Sequence, residues 1–329
     1  MPTLSKSVCT AAALAVACAS AGAGIAQPSP KAYPAKPVKI VIPLGPGNSL
    51  EIAMRLVAEK LSSALGQPFV IEAQPGAAGQ IGAERVAKSP ADGYTLLAAT
   101  DGVITMLPNL QKHVPFDPIR DFSPIVEMIG IPFVLIVHPS VPARTAEELV
   151  RLAKAQPGKL EFSSGGTGSS QQLAMELFMG LTGTKLVHVP YKGAPQAAMD
   201  VVSGQIPVAL AGVPIVAALI KQGRLRALGI ASDRRLPLLA EVPTLAEQGI
   251  PLRFSTWGGL FAPSGTPVEV IRTLNHETVV ALNSADVRAR MSELGFEVYG
   301  NSSEEFSEMV KADFAKMAKV IRQAGIEPQ

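Results

Sequence analysis

Short apolar runs alternate with stretches of helical spacing along this chain, the pattern of an α/β fold. Val38-Lys39-Ile40-Val41-Ile42 predicts a buried strand. Leu50, Ala53, Met54, Val57, Leu61 and Leu65 follow at helical spacing, with Gly66 as the stop. Phe69-Val70-Ile71 and Tyr94-Thr95-Leu96-Leu97 predict strands on either side of a short helix over 82–88. Residues 125–137 read as two strand pieces broken at Gly130-Ile131-Pro132, a candidate crossing between domains. Thr145 and Glu148 form a capping box for the next helix. A strand at Leu160-Glu161-Phe162 leads to a helix through Leu173, Leu177 and Phe178, and strands at 186–189, 208–210 and 225–230 complete a second set. Residues 233–265, rich in Pro and Gly, predict extended connection. Ser302 and Glu305 cap a final helix that carries Phe306, Val310, Phe314, Met317 and Ile321 and ends at Gly325.

With 329 residues, 47% of them apolar, the chain is long enough for two modest domains. A net charge of +2 and 5% aromatic residues leave neither a basic footprint nor a stacking platform, so no nucleic-acid partner is expected. Residues 1–26 read as a secretory signal: Lys6 is its only charge, 11–19 are apolar, and Gly24-Ile25-Ala26 precedes a cleavage point. That places the mature protein in the periplasm. Cys9 and Cys18 both fall inside this segment, so no disulfide or thiolate metal site is expected after cleavage. A lipoprotein signal ending at Cys18 is the alternative, with Ala15-Val16-Ala17 a poor match to it. Four scattered histidines offer no metal-ligand spacing, and no cofactor is expected.

Two glycine-rich loops carry the candidate chemistry. Each follows a strand and opens a helix: Pro43-Leu44-Gly45-Pro46-Gly47-Asn48-Ser49, and Ser163-Ser164-Gly165-Gly166-Thr167-Gly168-Ser169-Ser170. Helix N-termini present unpaired N–H groups and partial positive charge, and small residues let an anion approach them. The bland readings are a tight strand-to-helix turn and a solvated serine loop. A dinucleotide fingerprint would need a third Gly where Leu50 stands, although Glu72 could serve as its acid. A Walker loop would need Gly-Lys-Ser/Thr. A serine nucleophile would need a base and an elbow, and no Gly-x-Ser-x-Gly occurs. His188 reads as a packed strand histidine. Tyr191-Lys192-Gly193 reads as a ligand-facing edge, with Tyr191 covering the ligand, or as a solvated turn; Trp257 reads as a cleft wall or as core or hinge packing.

Several segments in order resemble one family. They are Val70-Ile71-Glu72 with Pro75-Gly76-Ala77, Gly79-Gln80-Ile81-Gly82, Asp92-Gly93-Tyr94-Thr95-Leu96, Phe122-Ser123-Pro124-Ile125, Tyr191-Lys192-Gly193, Val242-Pro243-Thr244, Trp257-x-Gly259-Leu260-x-Ala262-Pro263 and Gly265-Thr266-Pro267. From Tyr33 to Ile326 the chain resembles the Bug-type (TctC-like) extracytoplasmic solute receptors of tripartite tricarboxylate transporters. The resemblance implies a two-domain periplasmic binding protein, a type II-like clamshell in which each domain is a mixed sheet flanked by helices. Domain one would comprise 36–130 plus 254–329, and domain two 131–253. It implies no enzymatic chemistry, a monomer, a small organic carboxylate as ligand and transporter membrane subunits as partners. The implied ligand contacts are Leu44, Gly45, Gly47, Asn48 and Ser49; Thr100 and Asp101; Ser163, Ser164, Gly166, Thr167, Gly168 and Ser169; Tyr191 and Lys192.

Departures from the family pattern bear on the ligand. Asn48 replaces a Gly, Glu51 an Asp and Gln172 a His; Ala211, followed by Gly212, stands where many relatives carry an Asp that meets a ligand amine. Asn48 would bond the ligand or cap the helix. Without the acid, a buried ammonium would lack a partner. The expected ligand is therefore a non-amino mono- or dicarboxylate, aromatic ones such as terephthalate included. A receptor that signals to a sensor kinase is the alternative partner class, and a serine hydrolase the alternative activity.

Overall fold

The computed structural model describes residues 33–323. The expected signal segment with both cysteines, and the expected helix end at Gly325, lie outside them. In chain order the first half runs β1 Val38–Ile42, α1 Ser49–Leu65, β2 Phe69–Ala73, α2 Gln80–Ala87, β3 Thr95–Thr100, α3 Leu107–Leu110, β4 Phe122–Val137, α4 Ala146–Ala155 and β5 Glu161–Ser164. Then come α5 Ser170–Thr182, β6 Val187–Pro190, α6 Ala194–Val202, β7 Val208–Gly212, α7 Val213–Lys221, β8 Arg226–Ile230, β9 Ser255–Pro263, α8 Val268–Asn283, α9 Ala285–Leu294, β10 Glu297–Val298 and α10 Ser303–Gln323. A π-helical turn, Gly102–Met106, runs into α3.

The sheet order is β2-β1-β3-β9-β4-β7-β5-β6, with β8 and β10 also paired to β4. Two parallel groups stand at its ends: β2, β1 and β3, and β7, β5 and β6. The antiparallel strands β9 and β4 join them. β4 is the continuous connector. Its first part, through Pro132, pairs with β9, and Phe133 to Val137 pair with β7 and β8. The expected break at Gly130-Ile131-Pro132 is absent: Gly130 pairs with Trp257 and Pro132 with Ser255, so the strand changes partners without being interrupted. The register shifts lie earlier, between Pro124 and Val126 and between Glu127 and Ile129.

The 233–265 stretch is not all connection. It holds β9, buried from Thr256 to Pro263 in the middle of the sheet. Its glycines allow close packing rather than a turn: a Cβ on Gly259 would lie 2.3 Å from the Phe306 ring, and one on Gly258 2.7 Å from Leu50. Trp257 packs in the core and does not line the cleft. Its indole N–H donates to Asp313 Oδ2 at 3.1 Å, and its ring meets Phe306 edge-on at 5.5 Å.

Helix α1 buries Leu50, Met54, Val57 and Leu61 in the core with Ile40 and Leu96, as its spacing requires. Gly66 ends it in the left-handed conformation (φ 66°). At its start, Asn48 Oδ1 accepts the Glu51 N–H at 3.0 Å, and Asn48 Nδ2 donates to the Gly45 carbonyl at 2.7 Å. Glu51 in turn accepts the Gly47 N–H at 2.7 Å and pairs with Arg55. Asn48→Ala is expected to cost about 1–2 kcal/mol of stability, because it deletes the cap and leaves the buried Gly45 carbonyl without its donor. Thermal unfolding checks this as a drop in Tm of a few degrees.

Candidate functional site

Parallel strands direct the helices that follow them from one edge of the sheet, where α/β proteins bind ligands. Here two such edges meet. A cleft of about 690 Å³ lies between the carboxyl ends of β1 and β3 on one side and those of β5, β6 and β7 on the other. Five helices begin at its wall. The residues preceding α1, α2, α5, α6 and α7 are Asn48, Gly79, Ser169, Gly193 and Gly212, and all five line the cleft. The first-turn N–H groups of Ser49 and Leu50 in α1, and of Ser170 and Gln171 in α5, have no intrahelical acceptor and belong to lining residues. Among the described residues that line the cleft there is no Asp, Glu or Arg, and the exposed Lys192 is the sole charged residue. Ile131, Phe133 and Ile215 supply an apolar stretch of wall. Aligned helix dipoles and free N–H groups around a partly apolar, acid-free cavity suit an anion with a hydrocarbon body.

The two glycine-rich loops approach the cleft from opposite walls, and the first meets the turn between β6 and α6. A Cβ on Gly45 would lie 2.8 Å from the Lys192 carbonyl oxygen and 3.4 Å from Gly193 Cα. Of the residues implied as ligand contacts or as departures from the family pattern, Leu44, Gly45, Asn48, Ser49, Thr100, Gly166, Thr167, Gly168, Ser169, Tyr191, Lys192 and Gly212 line the cavity. Gly47, Asp101, Ser163, Ser164, Gln172 and Ala211 stand behind it.

Each of these six has another occupation. Gly47 is an exposed turn residue (φ 74°) whose N–H is taken by Glu51. Asp101 is buried below the floor and accepts its neighbour's N–H, that of Gly102, at 2.7 Å; burial and nearby Asp313 push its carboxyl well above the ordinary range. The Ser163 hydroxyl donates to the Ala197 carbonyl at 2.9 Å, and Ser164 contacts His188. Gln172 Oε1 accepts the Gly168 N–H at 2.8 Å. Ala211 is buried in the cluster that includes Val134, Val213 and Val216.

Two lining residues have their polar side-chain atoms committed within the protein. The side chain of Asn48 is spent on capping α1 and holding Gly45, which decides between its two readings. Tyr191 turns its hydroxyl to Asp200 at 2.6 Å, and that bond pushes its pKa up to about 12. Tyr191 lines the cleft without covering it with a free phenol.

A third loop was missed. Pro75, Gly76, Ala77, Ala78, Gly79 and Gln80 line the cleft between β2 and α2. Ala77 and Ala78 stand at φ 46° and 54°, between Gly76 at 138° and Gly79 at 106°. Such a run of positive φ in non-glycine residues is uncommon and marks a constrained segment. The readable signal was the pair of glycines bracketing two alanines directly before a helix. Ile131 and Thr256, at the partner change between β4 and β9, also line the cavity.

The tripartite tricarboxylate transporter family receptor (TctC) model matches residues 53–326. BugT of Bordetella pertussis is 33% identical over 93% of this chain and 94% of its own. A Rhodopseudomonas palustris protein, Rpa4515, solved with adipate, has a TM-score of 0.88 at 33% identity, over 90% of this chain and 100% of that one. MatC of the same organism, solved with bound malate, has a TM-score of 0.84 at 28% identity, over 88% and 100%. The chain shares its mixed α/β fold with these two proteins, and the matched family is one of receptors rather than enzymes. Ser164 and His188 touch, but the serine is fully buried behind the wall, so the pair is no hydrolase centre. The chain belongs to the TctC family of tripartite tricarboxylate transporter receptors and is a solute-binding receptor of the Bug type.

Proposed function

We propose that this receptor captures a non-amino dicarboxylate in the periplasm, after removal of the N-terminal signal, and delivers it as a monomer to transporter membrane subunits. The observation that carries the ligand class is the wall itself: five helix N-termini, free first-turn N–H groups and no acidic lining residue. An ammonium group would find no carboxylate there and would lose its hydration without compensation. The dicarboxylates adipate and malate, seen with the two similar structures, have the same chemistry. The apolar wall at Ile131, Phe133 and Ile215 favours a longer hydrocarbon or an aromatic body over a short hydroxylated one.

Entry requires motion, because the backbone at Gly45 abuts that at Lys192 and Gly193. The natural hinge is where β4 passes from β9 to β7 and β8, so residues 36–130 with 254–329 would move as one lobe against 131–253. Several charge-assisted bonds to N–H groups would support micromolar or better affinity, about −8 kcal/mol.

Calorimetric titration with adipate, malate and terephthalate, against aspartate and glutamate, tests the ligand class. Binding of an amino acid alone would sink it. In the same assay Gly166→Val is expected to abolish measurable binding. Gly166 stands at φ 130°, where L residues are strained, and a Cβ there would lie 3.1 Å from the Tyr191 carbonyl. Unaltered affinity in that variant would show that the second loop is not part of the site.

A further inference from the structure

Ser164 ends β5 and is fully buried behind the second cleft loop. Its Oγ accepts the Gly166 N–H at 3.1 Å and lies 2.6 Å from His188 Nε2. The hydroxyl has one proton and two acceptors in reach, His188 Nε2 and the Gly166 carbonyl at 3.1 Å. With Nε2 bare the proton goes to the imidazole, and with Nε2 protonated it goes to the Gly166 carbonyl. In both arrangements His188 fixes the hydroxyl and a serine lone pair is left for the Gly166 N–H. Gly166 and Gly168, at φ 130° and 80°, hold a loop shape that needs support from outside the loop. Gln172 supports it at Gly168. Ser164 supports it at Gly166, whose carbonyl accepts the Ser169 N–H at 3.1 Å, one residue before α5.

His188 is itself held. It pairs with Phe162 across β5 and β6, and the two rings stack at 4.9 Å with 20° between their planes. Burial depresses its pKa and favours the neutral imidazole, and Nε2 is the ring nitrogen that meets the Ser164 hydroxyl. It does not line the cleft.

We propose that His188 is a positioning residue for ligand capture: through Ser164 it holds Gly166, and through the Gly166–Ser169 turn it aims the N-terminus of α5 into the cleft. The inference rests on the reading of this cleft as the ligand site. Amide hydrogen exchange on the unliganded receptor tests it without any ligand. In His188→Ala the Gly166 and Ser169 amides should exchange about tenfold faster, with the amides of α1 and α8 unchanged. His188→Gln, which can place an amide group near the Nε2 position, should restore the slow exchange. Ser164→Ala should reproduce the loop-confined change while leaving the imidazole in place, and it decides the question if His188→Ala does not fold. Adipate titration should follow in parallel, about tenfold weaker in His188→Ala and recovered in His188→Gln. Unchanged loop exchange in both His188→Ala and Ser164→Ala would overturn the proposal. So would a uniform acceleration over the whole chain that His188→Gln does not rescue. A wild-type receptor that ignores adipate would count against the ligand reading, and the exchange pattern would still decide the role of His188.

Discussion

Gly45→Ala is expected to weaken ligand capture about ten- to hundredfold while leaving the thermal stability of the unliganded receptor nearly unchanged. The reason is where the added methyl would go. Gly45 has an ordinary negative φ, so alanine costs nothing locally. Its Cβ, however, would stand 2.8 Å from the Lys192 carbonyl oxygen, 3.4 Å from Gly193 Cα and 3.7 Å from the Lys192 carbonyl carbon. All three are backbone atoms, which cannot rotate away as a side chain can. The clash exists only while the first loop meets the third residue group of the opposite wall, at 192–193. If the two walls part to admit ligand, the open form escapes the strain and the closed form bears all of it. A change of that size in one state shifts the equilibrium by the same free energy, about 1–3 kcal/mol for overpacking. Calorimetric affinity and unliganded Tm, measured together, separate this from general damage. Gly66→Ala is the control: Gly66 has φ 66° and nothing within 4 Å of an added Cβ, so it should lower Tm and leave affinity alone. Equal affinities for wild type and Gly45→Ala would mean that the contact plays no part in capture.

Much of the fold was legible because its elements are locally encoded. The caps at Thr145 and Ser302 form as their spacing predicts, with Glu148 and Glu305 N–H groups each 3.1 Å from the threonine or serine hydroxyl; the Glu305 carboxylate returns the bond to the Ser302 N–H, whereas that of Glu148 takes the Arg144 N–H. The apolar runs of β1 and β3 are buried strands on the pattern alone. β9 was harder to read. Its Gly258-Gly259 and flanking prolines look like connection, and only the tertiary partners, Phe306 and Leu50 against the bare glycines, make it a central strand. The cleft divides in the same way. The loops at 44–49 and 166–169 announce themselves through glycine before a helix. The third, at 75–80, depends on two alanines held at positive φ, a conformation that composition does not reveal. Spacing likewise says nothing about which way a side chain turns. Asn48, Tyr191 and Ser164 all sit in or beside cleft-lining segments, yet their polar atoms serve a cap, Asp200 and His188.

Under the proposed function, the position expected to decide ligand charge is Gly212 rather than its neighbour Ala211. Ala211 is packed among buried aliphatic side chains, whereas Gly212 lines the cleft and caps α7. Gly212→Asp is therefore expected to cut dicarboxylate affinity at least about a hundredfold, on the scale of like charges brought together at an interface. The backbone accepts the change: φ −62° and ψ 128° are extended, and Asp is favoured at a helix N-cap. An added Cβ would come within 3.0 Å of the Ile131 methyl and 3.2 Å of Ser49 Oγ, so these side chains must give slightly. The new carboxylate would stand beside Ser49 at the start of α1 and cap α7, taking for itself the positive ends that otherwise await the ligand. Stability should hold or rise while capture fails, the opposite of what a damaged core produces. The same carboxylate would offer a partner to an ammonium group, so the ratio of aspartate to succinate affinity should move toward the amino acid. Titration of the variant with that matched pair measures both effects. Retained dicarboxylate binding with an unmoved ratio would show that the ligand's charge is read elsewhere in the cleft.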